Sequence, residues 1–194
     1  MAKIRLTGPV VGISGKMDQM IFADRGGQTI AYMKKNKKKG ELSEAEQNRD
    51  DRWAVARAYA RSVMADPEKW ELYQTVAKEK KISAFLLAMN DYRNTPYFKP
   101  LDLQLYRGQV GDPIQIIARD DVGLVSVEVS IDRQDGSDVE RGQAVENGVR
   151  TGIWTYTATQ AIPEDTDIFI EVVGWDHTGH RIRMTENPTV GMYD

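Results

Sequence analysis

A regular alternation of apolar and polar residues in the second half of the chain constrains its fold more than any other feature. In the stretch LVSVEVSI, branched apolar residues fall at every second position from Val125 to Ile131, and IFIEVVGW repeats the pattern. Side chains at every second position share one face of a β-strand. Turn-forming sequences recur between these stretches at roughly ten-residue intervals. Residues 101–194 are therefore predicted to form an antiparallel sandwich of about seven short strands.

The same pattern places further strands in this region. Three leucines alternate with polar residues over residues 101–105, which predicts the first strand. A later strand carries Trp154 and Tyr156 on one face, and Trp154 has the spacing of a core residue.

Residues 41–95 are predicted to form a small unit of three helices. Apolar residues recur there every three or four positions, which is the spacing of one helix face. Ser43 opens a capping box, Asp66-Pro67 provides a second helix start, and Ser83 can cap the third helix. Because a residue before proline disfavours the helical conformation, residues 96–100 are expected to be a linker.

Residues 1–40 are predicted to form a basic β-hairpin arm. Short strands are expected at residues 4–6, 20–24 and 29–33, with Gly26-Gly27 supplying a tight turn. Three short strands bury too little apolar surface to be stable alone, so the arm is expected to fold against a partner. The predicted fold class is thus α+β and multidomain.

Charge changes steadily along the chain. Residues 1–40 carry nine lysines and arginines against two acids, residues 41–100 carry ten of each, and residues 101–194 carry seven against seventeen. The net charge of −3 conceals this asymmetry. Such a distribution indicates a partner of opposite charge rather than a particular fold.

The strongest functional signal is therefore the arm. Its basic residues are predicted to contact an acidic partner: Lys16, Arg25, Lys34, Lys35, Lys37, Lys38 and Lys39. Its apolar strand residues are predicted to dock on that partner: Ile21, Phe22, Ile30 and Tyr32. A charge run is otherwise most often a solvated linker.

The stretches ARDDVGLVSVEVSIDRQDG, IWTYTAT and IEVVGWDHTGHRI resemble the immunoglobulin-like or fibronectin-like sandwiches of bacteria and phages. The resemblance implies an Ig-like fold for residues 101–188 and says little about function. The helical stretch AYARSVMADPEKWELYQTVAKEKKISAFLLAMNDYRNTP resembles segments of uncharacterised bacterial proteins that place a similar module before such a sandwich.

Two turns of the predicted sandwich hold weak candidates for metal ligands. Asp120-Asp121 could bind Ca²⁺ between loops, and His177 and His180 could ligate a metal together with Asp176. Aspartate is common in turns for conformational reasons alone, so no metal and no cofactor is expected.

Several function classes find little support in the sequence. The chain has no cysteine, which excludes disulfides, thiolate metal sites and a cysteine nucleophile. No nucleophile elbow or phosphate-binding glycine loop is present, and an enzyme is not expected. No apolar run approaches the ~20 residues of a membrane span, and no signal peptide is recognised, so a cytoplasmic or virion location is expected.

The expected function is that of a structural subunit in a larger assembly, such as a virion decoration or tail component or a filament subunit. Its partners would be further copies or other proteins, and not a membrane. Two alternatives stay open: a nucleic-acid-binding protein that uses the lysine tract, and a carbohydrate-binding sandwich that uses Trp154, Tyr156 and Trp175.

Overall fold

A computed structural model describes residues 15–17, 19–25, 28–34 and 43–192. The described residues form an α+β fold with three helices and three antiparallel sheets. The chain divides into two compact units, Met1–Ser43 and Glu44–Asp194. The elements, in chain order, are β1 (Gly15–Met17), β2 (Met20–Arg25), β3 (Gln28–Met33), α1 (Glu44–Ala65), α2 (Pro67–Lys80), α3 (Ala84–Arg93), β4 (Tyr97–Phe98), β5 (Pro113–Arg119), β6 (Leu124–Arg133), β7 (Asp138–Gln143), β8 (Val145–Glu146), β9 (Ile153–Thr157), β10 (Ile168–Asp176) and β11 (Arg181–Glu186).

The first unit contains a three-stranded sheet in the order β1-β2-β3. Strands β2 and β3 pair along their whole length, from Met20 opposite Met33 to Arg25 opposite Gln28. Both were predicted within a residue or two at each end, whereas β1 was missed because glycines around it indicate breaks in regular structure. The predicted strand at residues 4–6 and the predicted turn at Gly26-Gly27 lie outside the described residues.

The three helices begin where their capping residues indicate. Helix α1 starts directly after Ser43. The Asp66 carboxylate accepts hydrogen bonds from the first amides of α2, which has Pro67 in its first turn, and Ser83 Oγ accepts from the Leu86 amide at the start of α3. The helices bury one core, built around residues with the predicted spacing: Ala56, Ala60, Val63, Tyr73, Val76, Ala77, Leu87, Ala88 and Met89.

Residues 97–186 form two four-stranded sheets in the orders β4-β5-β9-β8 and β11-β10-β6-β7. Apolar residues of both sheets form one core, as the alternating pattern predicts, and Trp154 and Tyr156 are both buried in it. Glu140 of β7 is buried between the sheets. Its Oε2 accepts hydrogen bonds from the Tyr156 hydroxyl at 2.8 Å and from the Thr159 amide at 2.6 Å.

Two details of the predicted strands are wrong. Residues 101–105 form no strand beyond a single bridge between Asp102 and Gln115, and Leu105 is 71% exposed. The chain turns here, since Asp102 Oδ1 accepts from the Gln104 amide and the Leu103 carbonyl accepts from Tyr106.

The second error concerns Val125, which is 56% exposed rather than in the core. The pairing of β6 with β10 is irregular at this point, because Trp175 lies opposite Ser126 and Asp176 lies opposite Leu124. The irregularity skips one residue of β6 and turns Val125 away from the core.

The segment expected to be a linker contributes a strand. Tyr97 and Phe98 form β4, which pairs with β5 at Arg119 and Ala118. Phe98 packs against the core of the sheets. The segment that connects the helices to the sheets is therefore itself an edge strand, and its Phe98 side chain packs into the core of the sheets.

Candidate functional site

The predicted docking residues of the N-terminal sheet divide between its two faces. Ile21 pairs with Tyr32 and Ala23 pairs with Ile30, so these four side chains share one face. Phe22 pairs with Ala31 on the opposite face. The structure thus brings three of the four predicted residues together and separates Phe22 from them.

This sheet leaves much apolar surface uncovered. Ile30 is 41% exposed, Tyr32 47% and Met33 63%. In the described part of the chain, the outer edges of β1 and β3 have no strand partner. Exposed apolar side chains beside free strand edges are the features through which a sheet recruits another chain.

The predicted basic contacts lie around the same sheet. Lys16 is exposed and pairs with Ile21, which places it on the face of Tyr32. Lys34 is exposed, and its amide donates to the Gln19 carbonyl at 2.6 Å. Arg25 ends β2 opposite Gln28. Lys35 and Lys37–Lys39 lie outside the described residues.

The weak metal candidates each have a local hydrogen-bonding role. Asp120 Oδ2 accepts from the Val122 and Gly123 amides at 3.1 and 2.8 Å, and burial raises the pKa of Asp120. Asp121 pairs with Lys80 at 3.3 Å and accepts from the Asn94 side chain at 2.7 Å. Within the described ranges, no three His, Asp, Glu or Cys side chains converge as a metal site.

The histidine turn is organised by the buried carboxylate of Asp176. It accepts from the amides of Thr178 and His180, and its Oδ2 lies 2.9 Å from His180 Nδ1. Since a carboxylate only accepts, Nδ1 is the donor in this contact. His177 instead uses its carbonyl, which accepts from the Tyr59 hydroxyl at 3.1 Å, and burial lowers the pKa of its imidazole.

A buried polar chain, which was not predicted, connects the helices with this turn. Asp91 is fully buried in α3, and its Oδ2 contacts the Tyr73 hydroxyl of α2. The Tyr73 hydroxyl lies 2.9 Å from that of Tyr59, which reaches His177. Asp91 Oδ1 is buried and has no hydrogen-bond partner among the residues that the structure describes, and burial raises the pKa of Asp91 to about 7.

Protonation of Asp91 allows the hydrogen bonds from Asp91 to His177 to run in one direction. When Oδ2 carries a proton, it can donate to Tyr73 instead of accepting from it; Tyr73 can then donate to Tyr59, and Tyr59 donates to the His177 carbonyl. When Asp91 is ionised, Tyr73 donates to Asp91 instead, and Tyr59 must choose between Tyr73 and His177 because it has a single proton. In the sequence, these buried hydrogen bonds are indicated only by an aspartate on the apolar face of α3.

A charged cleft of about 360 Å³ lies between α2 and the sheet loops. Two ion pairs cross it, Arg150 with Glu79 at 2.6 Å and Lys80 with Asp121 at 3.3 Å. These ion pairs join α2 to the sheet loops, although exposed pairs of this kind contribute only about 0–1 kcal/mol each.

A second basic surface, also not predicted, lies on the helices. Arg52 of α1 and Arg93 of α3 line two adjoining cavities of about 650 and 320 Å³ that also share Asn48. The Arg93 guanidinium lies 3.9 Å from the centroid of the Trp53 ring. We call this surface, formed by Asn48, Arg49, Arg52, Trp53 and Arg93, the arginine groove.

The aromatic residues considered for carbohydrate binding do not form a platform. Trp154 and Tyr156 are buried in the core, and only Trp175 is partly accessible. Trp175 lies beneath Arg181, whose guanidinium is 5.9 Å from the ring centroid.

Comparisons of the chain with known protein families, with curated proteins and with solved structures found no match. None of the helices in the described ranges is long and apolar enough to cross a membrane.

Proposed function

We propose that the chain is a non-enzymatic structural subunit of a larger protein assembly, anchored through its N-terminal sheet. The observation that carries the proposal is the surface of that sheet, where Ile30, Tyr32 and Met33 are exposed and the edges of β1 and β3 pair with no other strand of the described residues. The sheet belongs to a compact unit separate from residues 44–194. A small sheet of this kind gains stability by pairing with a second chain.

Charge supports the same role. The first forty residues have a large excess of lysine and arginine, and the last ninety-four have a large excess of acids. Opposite charges on separate parts of one chain favour contacts between copies, because each copy presents both halves of the interaction.

We further propose that residues 97–186 are an Ig-like module displayed by the assembly. Numbered along the chain from β4, the sheets have the orders 1-2-6-5 and 8-7-3-4. These correspond to the A-B-E-D and G-F-C-C′ sheets of immunoglobulin-like sandwiches. Such modules commonly serve as displayed units, and a location in a virion or filament would suit this arrangement.

A non-enzymatic role is supported by the use of the sandwich carboxylates. The oxygens of Asp120, Asp121 and Asp176 are engaged by local amides, by Lys80 and by the His180 ring. These side chains organise turns, which accounts for their presence without chemistry.

The test is light scattering on a size-exclusion column, with absorbance at 260 and 280 nm, for the full chain at low and high salt. We expect a nucleic-acid-free assembly that shrinks as salt rises, since salt screens the charges of the arm. Deletion of residues 1–40 should abolish assembly and leave a folded remainder.

A double substitution tests the docking face directly. Ile30→Lys with Tyr32→Lys removes the apolar contact and adds positive charge, which by itself favours an acidic partner, so loss of assembly would identify the apolar contact as the cause. Thr29→Lys, on the opposite face of β3, is the matched control and should leave assembly intact. Normal assembly by the deletion variant would contradict the proposal, and a complex that carries nucleic acid would favour the lysine tract as a nucleic-acid contact.

A further inference from the structure

The arginine groove is a cationic surface in which Arg52 and Arg93 have no acidic partner within the described residues. Arg52 forms no ion pair within the described residues, and Arg93 is held over Trp53 rather than beside a carboxylate. Arg49 contacts only its neighbour Asp50, at 3.7 Å. A fixed guanidinium presents its donors in a fork that matches a carboxylate, so the groove is built to receive oxyanions.

Two acids adjoin this surface. Asp51 lines the larger cavity together with Val55, and Asp50 pairs with Arg49. Three guanidinium groups beside two carboxylates leave the groove with an excess of one positive charge. The groove therefore favours an anionic ligand.

The two ends of the sheets differ in their contacts. The β5–β6 turn meets the helices, because Val122 belongs to the helical core and Asp121 pairs with Lys80. The β10–β11 turn meets them through His177 and Tyr59. Since the strands are antiparallel, the β6–β7 turn and the β9–β10 connection lie at the opposite end, which we call the distal end.

The distal end is strongly acidic. Residues 132–138 and 158–167 contain one basic residue, Arg133, and the following six acids: Asp132, Asp135, Asp138, Glu164, Asp165 and Asp167. None of the six forms an ion pair in the described part of the chain. Asp132 and Asp138 face one another across β6 and β7, and burial together with its neighbour Asp138 raises the pKa of Asp132.

We propose that the distal end of one copy binds the arginine groove of the next copy. This inference rests on the proposed function, and it names a second contact besides the N-terminal sheet. Both surfaces belong to the same compact unit, so each copy has one of each. A contact between two different surfaces of identical chains is heterologous, and repetition builds a ring or an open filament.

Carboxylates of the distal end complement the groove in charge. Glu164 and Asp138 are exposed, and the side-chain hydrogen-bond partner of Asp138 is another acid, Asp132, so both carboxylates are available to the guanidinium groups of Arg52 and Arg93. Binding removes repulsion among the acids of the distal end and supplies the missing partners of both arginines.

The experiment reverses the charges on each surface of the full chain. Arg52→Glu with Arg93→Glu should weaken self-association at least about tenfold in sedimentation equilibrium, because two attractive contacts become repulsive. Asp138→Lys with Glu164→Lys should do the same from the other side. The controls are Arg57→Glu with Arg61→Glu on α1, and Glu68→Lys with Glu71→Lys on α2, which are exposed and outside both surfaces.

A mixture of the two reversed variants should assemble again. When the two variants alternate in the assembly, a wild-type groove meets a wild-type distal end at one interface. At the next interface a reversed groove meets a reversed distal end. Recovery of wild-type association in the mixture supports the proposal, and circular dichroism of each variant checks that it is folded. Association of the single variants at wild-type strength, or a mixture that stays dissociated, would overturn it.

The outcomes also separate this contact from the N-terminal one. If the substitutions at Ile30 and Tyr32 abolish assembly and the charge reversals leave it unchanged, the proposed function is supported and the distal contact is contradicted. If instead the N-terminal substitutions leave assembly intact and the charge reversals weaken it, the distal contact is supported and the proposed anchoring through the N-terminal sheet is contradicted.

Discussion

At the scale of single residues, the most consequential side chain is Asp91. It is fully buried, one oxygen has no hydrogen-bond partner in the described ranges, and the other contacts Tyr73. Burial of an aspartate without a cation favours its neutral form. The proton of Asp91 therefore helps to determine how firmly α1 holds the histidine turn.

Stability should fall as the pH rises through the titration of Asp91. Its folded pKa is raised to about 7 from an ordinary 3.8, so between these values the folded state binds a proton that the unfolded state has released. The free energy of unfolding should decrease over this range, by about 4 kcal/mol at most. The measurement is urea denaturation followed by circular dichroism at a series of pH values.

Asp91→Asn supplies the decisive comparison. Its amide can donate to Tyr73 in place of the protonated acid, so the variant should lose the part of the pH dependence between about 4 and 7 that comes from Asp91. Asp51→Asn, at an exposed position of α1, should keep the slope of the native chain. If the free energy of unfolding changed with pH in the same way for Asp91→Asn and the native chain, the titration of Asp91 would not be the cause of the pH dependence.

The sequence predicts residues well where burial alone decides their place. Val127, Val129 and Trp154 are in the core, as their alternation indicates. The polar chain was missed because an aspartate, a tyrosine and a carbonyl far apart in sequence meet only after the helices and sheets have packed. In α3, Leu87 is buried and Leu86 is 40% exposed, because the contact with α1 selects which of two adjacent leucines faces inward.

At the scale of elements, the short strand β4 joins the helices to the sheets. Phe98 fills space above Gly174 in the middle of β10. A Cβ atom at Gly174 would lie 2.8 Å from Phe98 Cζ and 2.9 Å from Leu124 Cδ1. The glycine is thus required by close packing rather than by an unusual backbone conformation.

Gly174→Ala should destabilise the chain by about 1–3 kcal/mol, as overpacking of a core does. Phe98→Leu removes the nearest of the contacting atoms, so the double variant should be more stable than the sum of the two single effects predicts. A double-mutant cycle in urea measures the coupling. Additive effects of the two substitutions would show that Phe98 is not the constraint at Gly174.

Elements with their own local signals were predictable, and those that depend on distant partners were not. Asp66, Pro67 and Ser83 mark helix starts by the hydrogen bonds they make nearby. Strand β4 has only two residues and exists because β5 offers an edge. The arginine groove likewise depends on α1 packing against α3, which no local pattern reveals.

At the scale of the whole molecule, the helices and sheets of residues 44–192 share their packing. Val122, from the turn between β5 and β6, is buried in the helical core. The two ion pairs across the neighbouring cleft and the Tyr59 contact fasten the same boundary. Two cores connected in this way are expected to unfold in one cooperative step.

Val122→Ser should uncouple the two cores. It places a hydroxyl in the helical core and removes apolar contacts there, so the helices should open without the sheets. Hydrogen exchange followed by mass spectrometry should show faster exchange in α1–α3 and unchanged protection in β6 and β10. Val145→Ser, at an exposed position in β8, is the control, and equal loss of protection in helices and sheets would refute the uncoupling.

The position of the distal end has a mechanical consequence. A pull applied between the helices and the distal turns runs parallel to the strands of the sheet that contains β6, β10 and β11. The hydrogen bonds between these strands lie across the line of force, so they are loaded in shear and must break together rather than one after another. A molecule held at these two ends would resist tension far better than one whose strands were peeled apart from a single end.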